Sequence, residues 1–490
     1  MLAHSKSKKP EVTVNKGDTP KESLTKGIDR LGNLSKFIND GDQVFIKFNL
    51  KLPSGFPTNT NFDILETLIV SCKEVGVKKI YLGSFPFKGV PIKVISDLLD
   101  LKGYFNTLGA ELAFLDNSDD FDKKEINQDQ LKRIKYNSLE KVNINDKEFL
   151  IPKIVLNSDK FIIVNQINVN PLFQFNSSLL NSYSIIAPKD QEIGKDKPVS
   201  KEYITFDQYK KDLISDILDV FMIKQPHLVI NDLFYILEGA GPYIYKDSNL
   251  KKTGLIVIGD DMIAVDLITM QLLNLEINDS ELIVEARNKN ITIPQFSDIK
   301  VLGEKIEEVR TDVVLCASNL EDVQVRNFSI KSGKFCSGCF NQAYNLLNLM
   351  KTYMGKDLKY NIHNSFLIGE NPTEPDNIGN IIVFGDCAVN STKNYNFRTI
   401  IVEPKKKSKG KGKNKLLKEK HVEKKTSIKE KSNKDILELP GCPPDILNCL
   451  ELIIKYYGKK NVPNLNLFMN VNQFWIMGDL NDKLKIWEKL

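Results

Sequence analysis

The stretch Leu255-Ile256-Val257-Ile258-Gly259-Asp260-Asp261-Met262-Ile263-Ala264-Val265-Asp266 decides the fold class. Leu255 to Ile258 is a short apolar run of the strand type. Asp260 or Asp261 then offers a side chain to cap a helix over Met262 to Leu273. A strand that passes into a helix across so short an acidic turn is one unit of an α/β architecture with a largely parallel sheet. The unit recurs in both directions. Upstream, Gln43 to Phe48, Lys79 to Leu82, Lys160 to Val164 and His227 to Asn231 read as strands. Ser23 to Asn39, Phe62 to Val75 behind Thr60 and Asn61, and Phe206 to Phe221 read as helices. Downstream, Ser365 to Ile368, Asn380 to Phe384 and Arg398 to Val402 read as strands, and Phe340 to Met354 and Pro443 to Tyr457 as helices. The acidic stretch Asp116 to Gln130 reads as an exposed excursion.

At 490 residues the chain is long enough for more than one hydrophobic core. A polar stretch near Glu304 to Asp312 divides it into residues 1–310, an α/β domain, and 311–490, a smaller, cysteine-rich α/β domain. With 41% hydrophobic and 27% charged residues the composition is globular, and no apolar run approaches a membrane span. Met1 to Thr13 has His4 and lysines but no following apolar run, so a secretory leader is not expected and the cytoplasm is. There thiols stay reduced, and seven cysteines, an odd number, read as metal ligands or core residues. Between Pro404 and Lys434, 14 lysines stand against three glutamates, a local +11 that leaves the rest of the chain at −6. Residues 404–434 therefore read as a disordered, solvated insertion. A nucleic-acid contact through this tract is open but not favoured, because it has no interleaved aromatics.

Four cysteines carry the clearest chemistry. They lie in Cys336-Ser337-Gly338-Cys339, Gly385-Asp386-Cys387-Ala388 and Pro440-Gly441-Cys442-Pro443-Pro444, all beside glycine or proline. Cys387 follows an expected strand and Cys442 precedes an expected helix. Such turns converge at one edge of an α/β sheet. Four thiolates from three turns suit either a [4Fe-4S] cluster or a structural zinc ion. One CxxC with two isolated cysteines, and Cys-Pro at the last of them, favours iron–sulfur. His4, His227, His363 and His421 have no ligand spacing. Cys449 reads as a helical core thiol, and Cys72 and Cys316 as packed structural thiols.

This pattern resembles the proximal-cluster site of [NiFe] hydrogenase small subunits and of the related subunit of NADH:quinone oxidoreductases. The resemblance implies one [4Fe-4S] cluster held by Cys336, Cys339, Cys387 and Cys442. The chain departs from it at Val389-Asn390, where a glycine pair is usual, and in the lysine-rich insertion before Cys442.

In the first domain, Lys47 and Asn49 end a strand at the edge where α/β proteins gather ligands, and Thr58 to Thr60 lead into a helix N-terminus that could face an anion. The alternative is that Lys47 snorkels and Thr60 only caps. Asn231-Asp232 ends another strand. Gly239 and Gly241, in Glu238-Gly239-Ala240-Gly241-Pro242, form a turn a ligand could approach closely. Asp261 and Asp266 could present two carboxylates, although capping accounts for Asp261.

Ile46-Lys47-Phe48-Asn49, the Gly239 to Pro242 turn and Asp261 to Asp266 together resemble the family called domain of unknown function 362, in the same order over about the first 300 residues. That family implies an α/β fold and is often found with iron–sulfur ligands. Its Lys-x-His segment is here Asn168-Val169-Asn170. The expectation is an iron–sulfur protein with one [4Fe-4S] cluster, an electron-transfer or oxidoreductase component with a redox partner protein and a small anionic ligand. The alternative is a non-redox, zinc-stabilised binding or scaffold protein.

Overall fold

The computed structural model describes residues 9–51, 56–86, 91–119, 138–187, 206–241, 243–358, 363–376, 379–402, 427–430 and 436–466. The chain divides into two compact units whose boundary falls between Asn319 and Leu320, with Phe206 and Asp207 also in the second.

The first unit holds strands β1 (Glu11–Lys16), β2 (Gln43–Lys47), β3 (Lys79–Gly83), β4 (Glu111–Leu112), β5 (Leu139–Ile144), β6 (Lys147–Pro152), β7 (Lys160–Asn170), β8 (Gln174–Phe175), β9 (Leu228–Glu238), β10 (Asn249–Gly259) and β11 (Lys300–Gly303). Its main sheet runs β11-β1-β10-β9-β7-β2-β3-β4, with β8 paired to β7. From β9 to β4 every pairing is parallel. β10 is antiparallel to both β9 and β1. Strands buried on both faces explain the unbroken apolar runs Val44-Phe45-Ile46 and Phe161-Ile162-Ile163-Val164, all at 0% exposure. β5 and β6 form a separate antiparallel hairpin.

Local sequence chemistry sets the helix ends. The helix Phe62–Val75 starts where Asn61 accepts from the Asp63 amide and stops at Gly76, whose φ of +93° suits glycine. Met262–Leu272 starts where Asp261 accepts from the Ala264 amide. The helix expected over Ser23 to Asn39 runs only over Pro20–Arg30, because Gly32 and Asn33 take φ of +91° and +70°, and a 3₁₀ turn at Leu34–Lys36 follows. Asp116 is not exposed. Its carboxylate accepts from the Ile92 amide at 2.8 Å and Ser118 Oγ accepts from Lys93 N, so the pair caps the helix Ile92–Leu99, whose own flanking residue is Pro91. The rest of that expected excursion, residues 120–130, lies outside the described residues.

The second unit is built on β12 (Phe328–Ser332), β13 (Asn364–Ile368), β14 (Asn380–Phe384) and β17 (Ile436–Leu439), adjacent in that order and all parallel. Between them in sequence, β15 (Thr399–Val402) and β16 (Ser427–Glu430) pair antiparallel. Ser427–Glu430 is thus a strand within the lysine-rich 404–434 tract, and the rest of that tract lies outside the described residues. Helices Ser337–Tyr353, Asp386–Ser391 and Ile446–Tyr457 follow β12, β14 and β17 respectively. The last begins later than the sequence reading placed it, after Asp445, which caps it by accepting from the Asn448 amide. Among the described residues no helix is long and apolar enough to cross a membrane.

Candidate functional sites

In a parallel sheet all strands end at one edge, so the turns after β12, β14 and β17 share an edge, and each carries a cysteine motif. Cys336 is the residue preceding the helix Ser337–Tyr353, with Cys339 in its first turn. Gly385, at φ +87°, turns β14 into the helix that carries Cys387. The second and third motifs are knitted by backbone: the Gly385 amide donates to Leu439 O at 2.8 Å and the Asp386 amide to Gly441 O at 3.0 Å. The Gly441 amide returns to Asp386 Oδ1 at 2.8 Å. A Cβ on Gly385 would stand 3.4 Å from Cys339 Sγ, and one on Gly338 would stand 3.2 Å from Pro443 Cγ, so the three turns are in contact.

The thiols sense one another. The Cys339 thiol donates to the Cys336 sulfur, and this bond, opposed by burial and helped by the amides of Cys339 and Gly338, pulls Cys336 down to about 5. Cys339 is pushed up, first by that same bond, then by burial and the charges of Cys336, Cys387 and Cys442. Burial raises Cys387 and Cys442, and the other thiols add to it. The donor set suits a thiophilic metal centre: four sulfurs, with the backbone N–H groups of Cys339 and Gly338 on that of Cys336. Among the described residues no three His, Cys, Asp or Glu side chains are gathered closely enough to hold a metal ion as they stand. Cys336 and Cys387 are half-buried and Cys442 is exposed. Cys72 and Cys449 are buried elsewhere, each pushed up to about 12 by burial. Cys316 is also buried, in the first unit.

The first unit has a second polar focus. After β2 the chain moves outward to β3 and β4. After β7, which lies on the other side of β2, it moves the opposite way to β9. The ends of β2 and β7 therefore flank a topological switch point, the usual ligand crevice of open α/β sheets. Lys47 and Asn49 lie there, at 0% and 2% exposure. Lys47 Nζ donates to Asn181 Oδ1 and to Phe48 O, and burial, then the charge of Lys51, holds its pKa well below the usual lysine range. Asn49 Nδ2 donates to Asn181 Oδ1 at 3.2 Å, and Asn49 Oδ1 accepts from the Gln166 amide at 2.7 Å. Thr60 Oγ1 accepts from the Asn49 amide.

The other expected ligand residues have work inside the fold. Asp261 caps a helix, and Asp266 is fully buried, accepting from the amides of Ser178 and Leu179, from Ser178 Oγ and from Asn231 Nδ2. Gly239 and Gly241 do admit close backbone, but it is the chain's own: a Cβ would lie 2.4 Å from Asp247 O and 2.5 Å from Val169 O. Three residues of this region were not singled out from sequence as site residues. Lys51 is half-buried and lowered to about 8 by burial. Gln166 and Asp232 face each other across β7 and β9. Burial, aided by the charge of Asp63, raises Asp232 to about 7 against one bond from the Phe234 amide.

A large, mostly parallel sheet and a second, smaller parallel sheet define an α/β class of protein. More particularly, residues 44–271 match the family model described as "Domain of unknown function (DUF362)", which spans the switch point and the Asp261 to Asp266 motif. No curated protein matches the chain. Two solved structures are similar to it at 9% identity. One is a protein from Thermotoga maritima, covering 48% of this chain and 56% of that one with a TM-score of 0.24. The other is the lactate racemase apoprotein from Thermoanaerobacterium thermosaccharolyticum, covering 74% and 69% with a TM-score of 0.29. The chain thus spans little more than half the length of the Thermotoga maritima protein.

Proposed function

We propose that the second unit binds one [4Fe-4S] cluster through Cys336, Cys339, Cys387 and Cys442, and that the protein acts as an electron-transfer or oxidoreductase component with a redox partner protein, while the first unit binds a small anion. The observation that carries this reading is the arrival of all three cysteine motifs at one edge of a single parallel sheet, the second and third joined by backbone hydrogen bonds. When bound, such a cluster supplies one-electron transfer. The chain's part is to hold and tune it. The backbone amides of Cys339 and Gly338 favour the thiolate of Cys336. Asp386 Oδ1 orders the Gly441 turn that presents Cys442. Four cysteine ligands leave no open iron position, which favours electron transfer over Lewis-acid chemistry.

Anaerobic purification with iron, sulfide and zinc quantification tests the proposal. About four irons and four sulfides per chain are expected, with a visible absorption that dithionite bleaches. Cys387→Ser should lose this metal and Cys72→Ser should retain it. A colourless protein with stoichiometric zinc would replace the reading with a metal-stabilised, non-redox binding or scaffold protein. Equal metal content in both variants would remove the cysteine site itself.

A further inference from the structure

The helix Met262–Leu272 ends in a fixed turn. Asn274 takes φ of +53°, and the amides of Asn274 and Leu275 bond back to Gln271 O at 3.2 Å and Met270 O at 2.9 Å. The chain then passes through a 3₁₀ turn at Ile277–Asp279 into the helix Glu281–Asn288, which Ser280 caps by accepting from the Ile283 amide. The segment that follows the short helix Ile306–Val309 returns to the same place. The Thr311 amide donates to Leu272 O at 2.8 Å, and Asn274 Nδ2 donates to Asp312 Oδ1 at 2.6 Å. Just ahead of that short helix, Glu304 Oε1 accepts from both Nη atoms of Arg30 and the Glu304 amide donates to Val14 O. These tied segments line a cavity of about 570 Å³ that lies wholly within the first unit. Its size is that of a ligand site, commonly about 300–1,000 Å³.

The lining carries charges of both signs. Arg287 and Arg310 share the cavity with Glu276 and Glu307, and all four are exposed. Among the described residues none of the four makes an ion pair, so opposite charges line one space without neutralising each other. Gln271 and Asn278 line it too, and among the described residues their side-chain amides have no hydrogen-bond partner. Phe296 and Ile306, both half-buried, add apolar surface. A guanidinium takes a carboxylate in a two-pronged bond, a carboxylate takes an ammonium, and a side-chain amide can both donate to and accept from a peptide group. A ligand with only negative charge would meet the two glutamates, and one with only positive charge the two arginines. We propose that this cavity binds a short zwitterionic peptide with apolar side chains. The arginines take its carboxylate, the glutamates its ammonium, and Gln271 and Asn278 its peptide group. At about 30 Å³ per water the space equals on the order of twenty waters, more than a single amino acid fills.

The test is calorimetric titration of the full chain with leucylleucine, its N-acetyl derivative and its C-terminal amide. Acetylation removes the ammonium and amidation the carboxylate, while both keep the peptide group and the side chains. Leucylleucine should bind, and each derivative should bind on the order of tenfold more weakly, the value of a hydrogen bond to a charged group. In the double variant Arg287→Met with Arg310→Met, the free dipeptide should lose its advantage over the amide and keep it over the acetyl form. Glu276→Gln with Glu307→Gln should do the reverse. Because these side chains are exposed, the urea midpoint of each variant should match that of the wild type. No binding of leucylleucine, equal affinity for the three probes, or preferences that survive in both double variants overturns the proposal. Tightest binding of the acetyl form, which would mark an anion site, or of the amide, which would mark a cation site, overturns it as well.

Discussion

Replacing Asp232 with asparagine should stabilise the protein, and increasingly so as pH rises. The Asp232 carboxyl is raised by burial from an ordinary 3.8 to about 7. Between those values the folded protein holds a proton that the unfolded chain has released, so unfolding releases that proton and stability falls as pH rises. Asp232's contribution is complete below about pH 4 and is lost as pH climbs through about 7. At 1.36 kcal/mol per pKa unit, the span between the two states corresponds to about 4 kcal/mol. Asparagine does not titrate. Its carbonyl can keep the bond from the Phe234 amide, now 2.9 Å long. The assay is urea unfolding of wild type and Asp232→Asn by circular dichroism at several pH values, comparing the two proteins at each pH so that shared effects cancel. The variant's advantage should be small at about pH 4 and approach 4 kcal/mol at about pH 8. A difference that does not vary with pH, or a wild type that gains on the variant as pH rises, would refute the reasoning. The first would mean that Asp232 ionises in the fold as freely as outside it, the second that it ionises there more readily.

Asp266→Ala should cost about 3–5 kcal/mol in the same assay, because it strands the buried amides of Ser178 and Leu179 and removes one of two acceptors from Asn231 Nδ2. A loss below about 1 kcal/mol would show that these donors find water. Gly241→Ala should destabilise by about 1–3 kcal/mol, since its Cβ would stand 2.5 Å from the Val169 carbonyl. An unchanged urea midpoint would mean that the turn can move aside.

The α/β class was legible because apolar strands and capped helices alternate so regularly. Phe62–Val75 and Asn380–Phe384 coincide with their sequence reading to the residue. What escaped was the polar half of the long strands. β7 runs on from Val164 through Asn165-Gln166-Ile167-Asn168-Val169-Asn170, and β9 from Asn231 to Glu238. Asparagine, glutamine and aspartate argue against a strand when only propensity is available. Here they are tolerated because side chains supply bonds across the widened ladder, as Asn168 Oδ1 does for the Leu237 amide at 2.9 Å. β1 and β11 were missed for a different reason. Each is short, and their pairing with partners far along the chain leaves no local signature. The cysteine motifs were readable as turns beside strands. Lys51 and Gln166 were not, since nothing in a lysine or glutamine alone announces that it will be buried with an unmet charge or oxygen.

The placement of β1 bears on how the chain matures. Val12 sits opposite Gly259 on one side and Val301 on the other, so the earliest strand is clasped between two of the last that its unit makes. At a ribosomal pace of roughly 5–20 residues per second, about 250 further residues must be made before either neighbour exists, an interval on the order of ten seconds to a minute. Through that interval Val12-Thr13-Val14 stays an unclasped edge open to wrong partners, and completion of this sheet is an event of late translation rather than of early emergence.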